Sequence, residues 1–109
     1  MTEEMKVQQS SGYVFADLGL DNSDELLVKA ELAYKISSII TKLGITQVEA
    51  AKLLGIDQPK ISALINGKLS DFSTVRLFRF LNSLGRDVEI VVKDKPKSRS
   101  QALTLVVSR

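Results

Sequence analysis

The sequence predicts a mainly α-helical fold, a bundle of four to five helices followed by a small C-terminal β-strand or hairpin element. Apolar residues recur at three- and four-residue spacing over most of the chain, which is the period of an amphipathic helix. Gly44, Gly55, Gly67 and Gly85 interrupt these stripes at points where helices would end. After the last of these glycines the apolar residues alternate, and this pattern predicts the β element.

A length of 109 residues indicates one domain with terminal extensions. We predict that residues 1–21 form an N-terminal arm that is partly disordered. Residues 22–85 form the helical domain, and residues 86–109 form the β element, which is a possible dimerisation region.

The first predicted helix is the longest. Asn22 or Ser23 caps it, acidic residues follow in its first turn, and it ends at Gly44. Its main apolar stripe is Leu32, Ile36, Ile39, Ile40 and Leu43, widened by Leu26, Ala30 and Ala33. This spacing predicts that one face of the helix is buried.

Two short helices follow. Thr46 and Glu49 form a capping-box pattern at the start of the second helix, which ends at Gly55. Asp57 caps the third helix, and Pro59 lies in its first turn, where a missing N–H costs little. Ile61, Leu64 and Ile65 are its predicted buried face.

The fourth helix and two strands complete the prediction. The helix begins near Ser73 or Thr74 and ends before Gly85. Its apolar residues are Val75, Leu77, Phe78, Phe80, Leu81 and Leu84. Residues 87–92 and 102–107 are alternating or β-branched and are predicted as strands, which something must cover because a lone hairpin is marginally stable in water.

The composition argues against an enzyme. The chain has no Cys and no His, so it lacks the common general base, the usual nucleophile pairs and the commonest metal ligands. We therefore expect no cofactor. The absence of Cys fits a cytoplasmic protein, and we expect neither a signal peptide nor a membrane-spanning helix.

Charge is distributed unevenly along the chain. Residues 1–51 carry eight acidic and four basic residues, whereas residues 52–109 carry five acidic and eleven basic residues. An uneven solvated surface is one explanation. The other is that the basic half binds a polyanion and the acidic half binds a basic partner.

The two short helices with a glycine turn between them predict a helix-turn-helix. Ala51 is small where these helices approach each other. If Ile61 and Leu64 are buried, the outward side chains of the third helix are Gln58, Lys60, Ser62 and Ala63. Amide, amine and methyl groups of this kind read base edges in the major groove of DNA.

This stretch resembles the Xre/Cro family of helix-turn-helix regulators. The matching positions are Thr46, Gln47, Glu49, Ala50, Ala51, Leu54, Gly55, Ile56, Gln58, Ile61, Ser62, Leu64, Asn66, Gly67 and Lys68. The resemblance implies a phage-repressor-like bundle that binds double-stranded DNA, and it covers about residues 23–84. The regions before the first helix and after the fourth resemble antitoxin-type (HigA-like) members, which are encoded beside a small basic ribonuclease toxin.

The resemblance also implies residue roles. It assigns a phosphate contact to Gln47, a base contact to Gln58 and a backbone contact to Asn66. Pro59 stands where many relatives have a polar base-reading side chain, so more of the base contact falls to Gln58 and Lys60. The predicted DNA-contact residues are Gln47, Gln58, Pro59, Lys60, Ser62, Ala63, Asn66 and Lys68. Further phosphate attraction is expected from Lys52, Arg76 and Arg79.

One domain reads few base pairs, so we expect a homodimer on a palindromic operator, with half-sites about 34 Å apart. Two functions stay open. The chain is an autoregulating repressor and the antitoxin of a toxin–antitoxin pair, or it is a stand-alone Xre-type regulator without a toxin partner.

The apolar segment of residues 13–20, YVFADLGL, is too short to fold unaided. It either docks on its own first helix or binds a toxin, with Tyr13 and Phe15 as aromatic anchors. In the second case its acidic neighbours would face a basic nuclease groove.

Overall fold

The computed structural model of the chain describes residues 23–108, and these contain four helices. The helices are α1 (Ser23–Leu43), α2 (Gln47–Leu54), α3 (Gln58–Ile65) and α4 (Thr74–Ser83). This confirms the mainly helical class. No helix in the part of the chain described is long and apolar enough to cross a membrane.

Helix α1 is the long element against which the others pack, chiefly α4 and α3. Its central stripe is buried, and Ile36 is fully inaccessible to solvent. Acidic residues at its first turn and Lys42 at its last turn oppose the helix dipole. Lys29 lies largely buried on this helix, and its Nζ is 3.8 Å from a carboxylate oxygen of Glu25 one turn earlier.

Helices α2 and α3 form the predicted helix-turn-helix, and local chemistry fixes the ends of both. The Thr46 backbone N–H donates to Glu49 Oε1 (2.8 Å), and the Glu49 backbone N–H donates to Thr46 Oγ1 (3.1 Å), so the capping box is confirmed. Gly55 ends α2 with φ of 72°, a conformation that glycine adopts without strain. The Lys60 backbone N–H donates to Asp57 Oδ1 at the start of α3 (3.1 Å).

Helix α4 closes the bundle. Ser73 Oγ accepts from the Arg76 backbone N–H at 3.1 Å and caps the helix. The rings of Phe72 and Phe80 meet edge to face, with centroids 5.9 Å apart.

One buried apolar cluster joins all four helices and the loop before α4. Its members are Val28, Leu32, Ala33, Ile36, Ile39, Ile40, Ala50, Ala51, Leu54, Ile61, Leu64, Leu69, Phe72, Leu77, Phe80, Leu81 and Leu84. Because α2 and α3 both contribute to this cluster, their relative orientation is fixed by the core.

Five apolar residues predicted to face the core are instead exposed: Leu26, Ala30, Leu43, Ile65 and Val75. Leu26 and Ile65 lie near the ends of α1 and α3, beyond the part of each helix that its neighbours cover. Val75 lies in the first turn of α4. The period of the apolar residues predicts which face of a helix is buried, but not how far along that helix the neighbouring helices pack.

The predicted C-terminal β element is absent from the described chain, since residues 23–108 contain no β-strand. Val88 and Val106 pack against the core, but Ile90, Val92, Leu105 and other apolar residues of this region are exposed. A strand needs a partner edge for its backbone hydrogen bonds, and the helical bundle offers none. The predicted N-terminal arm, residues 1–21, lies outside the described residues.

Candidate nucleic-acid interface

The start of α2 and the start of α3 lie side by side on one face of the bundle. Gln47, Gln58, Pro59 and Ser62 line a single shallow depression there of about 270 Å³. All four belong to the predicted DNA-contact set, so the structure brings together residues from both helices. We call this surface the amide face, after Gln47 and Gln58.

The amide face follows from how α3 is anchored. Ile61 and Leu64 are buried, and they fix the rotation of the helix about its axis. Gln58 and Pro59 are exposed in the first turn, and Ser62 is half-exposed one turn later. A proline costs little at this point, because the first turn of a helix has no internal acceptors for its N–H groups.

Lys60 and Lys68 supply positive charge around α3. Lys60 is half-buried within the helix, and Lys68 is exposed beyond its end. Within residues 23–108, neither forms an ion pair with a carboxylate. Both ammonium groups are therefore available to an anionic ligand.

The turn after α3 holds Asn66. Asn66 Nδ2 donates to Ser62 Oγ at 3.4 Å, which joins this side chain to the exposed side of α3. Gly67 follows with φ of 78°, and the Lys68 backbone N–H donates to the Ala63 carbonyl at 2.9 Å. This hydrogen bond closes the helix end and places Asn66 and Lys68 on the same turn.

The prediction that Ala63 points outward needs correction. Ala63 is half-buried and packs against the core cluster. On the helical wheel residue 63 lies about 100° from the buried residue 64, at the margin of the buried face of α3. The half-buried methyl group of Ala63 therefore exposes less surface for contact with a thymine methyl group than the prediction required.

Arg76 makes a contact that the sequence analysis did not predict. Its guanidinium carbon lies 5.6 Å from the ring centroids of both Phe72 and Phe80, and the side chain is half-buried. A cation so placed stabilises the two rings. Arg76 and Phe80 lie four residues apart on α4, a spacing that indicates their contact, whereas Phe72 lies in the loop before the helix. Lys52 and Arg79 remain exposed.

Two comparisons bear on this arrangement. A family model described as a helix-turn-helix domain matches residues 14–93, a range that includes all four helices. A solved structure that carries the name XRE family transcriptional regulator superimposes with a TM-score of 0.79 at 45% sequence identity. The match covers 82% of this chain and all of that chain. No curated protein is similar enough to count as a match.

The chain belongs to the XRE family of helix-turn-helix regulators. It is therefore a DNA-binding transcriptional regulator and not an enzyme. The third helix, α3, is the recognition helix of this XRE regulator, because the second helix of a helix-turn-helix enters the major groove. The amide face lies at the N-terminal end of that helix, the end from which side chains contact base edges.

Proposed function

We propose that the protein is a sequence-specific repressor that binds a palindromic operator as a homodimer in the cytoplasm and regulates its own operon. The observation that supports this most is the amide face, where the exposed side chains of Gln47 and Gln58 adjoin at the start of the recognition helix. A glutamine amide can donate to and accept from one adenine at once, so such a surface is suited to reading bases.

Within this proposal the predicted residues divide into two groups. Gln58, Lys60 and Ser62 lie on α3 and contact base edges, with Pro59 packing beside them. Gln47 at the start of α2, together with Asn66 and Lys68 after α3, holds the phosphates on either side. Phosphate contacts fix the register of the helix in the groove, and base contacts give specificity.

We further propose that residues 86–109 form the dimer contact. Exposed apolar side chains such as Ile90, Val92 and Leu105, in backbone that forms no strand within residues 86–108, favour pairing with a second copy. A two-fold dimer would present two recognition helices, about 34 Å apart, to successive turns of the major groove. The β element predicted from the sequence would then form between chains.

The test is selection of binding sites from a pool of random duplexes, using the wild-type protein and Gln58→Ala. We expect the wild type to select an inverted repeat, and we expect Gln58→Ala to lose preference at one base pair in each half-site. Ser83→Ala, an exposed polar residue at the end of α4 outside the amide face and the proposed dimer contact, serves as the control and should select the wild-type site. Selection of no common sequence by the wild type would contradict the proposal.

A second candidate function is that of an antitoxin, and the distribution of charge favours it. The half of the chain before Lys52 is acidic overall, and the half that contains α3 and α4 is basic. Asp24 and Glu25 of the acidic half are exposed at the start of α1. Such a region suits a small basic ribonuclease. Co-expression with the product of the neighbouring gene tests this candidate: a stable complex that blocks ribonuclease activity supports it, and the absence of any complex contradicts it.

A further inference from the structure

The N-terminal half of α1 carries an apolar surface that no described element covers. Leu26, Leu27, Ala30 and Tyr34 are exposed, and Tyr34 retains 76% of its accessible area. Their spacing of three and four residues places them on one face of the helix. Single exposed apolar residues are common on protein surfaces, but neighbouring ones on one helix face are typical of a docking surface.

This surface continues into a groove of about 290 Å³ between α1 and the end of α3. Its walls include Ala30, Tyr34 and Ser37 of α1, and Ile65 and Gly67 from the end of α3 and the turn beyond it. A segment bound in this groove would cover the side chain of Ile65, which is exposed in the described residues. The groove shares no lining residue with the amide face, and Asn66, which donates to Ser62 Oγ, lies on its wall between the two surfaces.

We propose that residues 13–20 of the same chain, the apolar segment YVFADLGL, bind in this groove and run back along α1. Two residues, Asp21 and Asn22, separate the segment from Ser23, and both residue types favour turns. The matched helix-turn-helix domain begins at residue 14, nine residues before α1, so it takes in nearly all of the segment.

Length supports this occupant. The eight residues of the segment can span about 26 Å when extended. From Leu26 to Tyr34 the surface of α1 is only about 12 Å long. The segment can therefore turn at residues 21–22, cover the exposed face and still reach Ile65 with Phe15 or Val14. Its own large apolar side chains would fill the space between the apolar walls of the groove, which include Tyr34 and Ile65.

The first test is a double-mutant cycle on the full chain at fixed concentration, with thermal unfolding as the readout. Phe15→Ala removes the aromatic anchor, and Ala30→Arg places a long charged side chain in the groove on an exposed, helix-compatible position. We expect each change to lower Tm by roughly 4–8 °C. We expect the double variant to fall no further than either single variant, because both changes remove the same contact.

Val75→Arg is the matched control, since Val75 is an exposed apolar residue of α4 that does not line the groove. Its effect should add to that of Phe15→Ala. Full additivity of Phe15→Ala with Ala30→Arg, or no effect of Phe15→Ala on Tm, would overturn the proposal.

NMR identifies the occupant directly. We expect cross-relaxation between the Phe15 ring protons and the side chains of Ala30, Tyr34 or Ile65 within one chain. Contacts found only between differently labelled chains would place a second copy in the groove and overturn the proposal. An isolated chain in which Phe15 contacts none of these side chains would also overturn it, and would leave the segment to an external partner.

Discussion

The helical region, residues 23–85, and the C-terminal region, residues 86–108, both contain many apolar residues but differ in what those residues contact. In the helical region the central apolar residues are buried, and the described helix starts at Thr46, Asp57 and Ser73 are capped by side chains. In the C-terminal region Ile90 and Val92 keep 74% and 91% of their accessible area. A helix satisfies its backbone within itself, whereas a strand needs a second edge.

The difference teaches that the helical region forms a buried core within one chain, whereas most apolar residues of the C-terminal region are exposed. If the C-terminal region dimerises, its exposed residues are an interface. If it does not, they are a region of the surface that is unusually apolar. Each change below affects one region and should leave the other unaltered.

The largest expected effect is on oligomeric state. Truncation after Gly85 should convert a dimer into a monomer while leaving the four helices folded, because the capped helices and their core lie before this point. Light scattering measures the mass, and circular dichroism measures the helical content. As a control, replacing Lys93, Lys95 and Lys97 with alanine should leave the dimer intact. A dimer that persists for residues 1–85 would show that the interface lies in the helical region.

The next effect contrasts two isoleucines. Ile61→Ala removes a fully buried side chain from α3 and should lower the free energy of unfolding by about 2–5 kcal/mol. Ile90→Ala, measured at a dilution where the chain is monomeric, should change it by less than about 0.5 kcal/mol. Urea unfolding gives both values. Comparable losses for the two variants would mean that Ile90 belongs to the core of the single chain.

A smaller effect is expected within α4. Arg76→Ala removes a cation from the rings of Phe72 and Phe80 and should cost about 1 kcal/mol of stability. Arg79→Ala, at an exposed position of the same helix, should cost less than about 0.5 kcal/mol. If thermal unfolding shows the same loss of stability for both variants, the contact of Arg76 with the two rings does not stabilise the fold.

Much of the helical region could be predicted from sequence because its signals are local. The capping box at Thr46, the glycine at Gly55 and the cap at Asp57 each act within four residues, and each lies where the sequence indicated. The three helix starts that follow α1 were therefore predictable. The two glutamines of the amide face could be predicted too, through the resemblance to a family.

What could not be predicted depends on contacts between distant residues. The exposure of Leu26 and Ile65 depends on where neighbouring helices end, and the stacking of Arg76 depends on the path of the loop before α4. The strands predicted for residues 87–92 and 102–107 are absent from the described residues for the same reason. Alternation in residues 87–92 specifies two faces, but not the edge that would pair with them.

The central claim is that the amide face and Lys60 read the operator, and one affinity measurement tests it most directly. Binding to the selected operator is measured by fluorescence anisotropy for wild type, Gln58→Ala, Lys60→Ala and the control Ser83→Ala. We expect the first two variants to lose about 1–3 kcal/mol of specific binding each, with Tm nearly unchanged and the control equal to wild type. Operator affinity that stays at the wild-type value in both Gln58→Ala and Lys60→Ala would contradict the assignment of this surface to DNA.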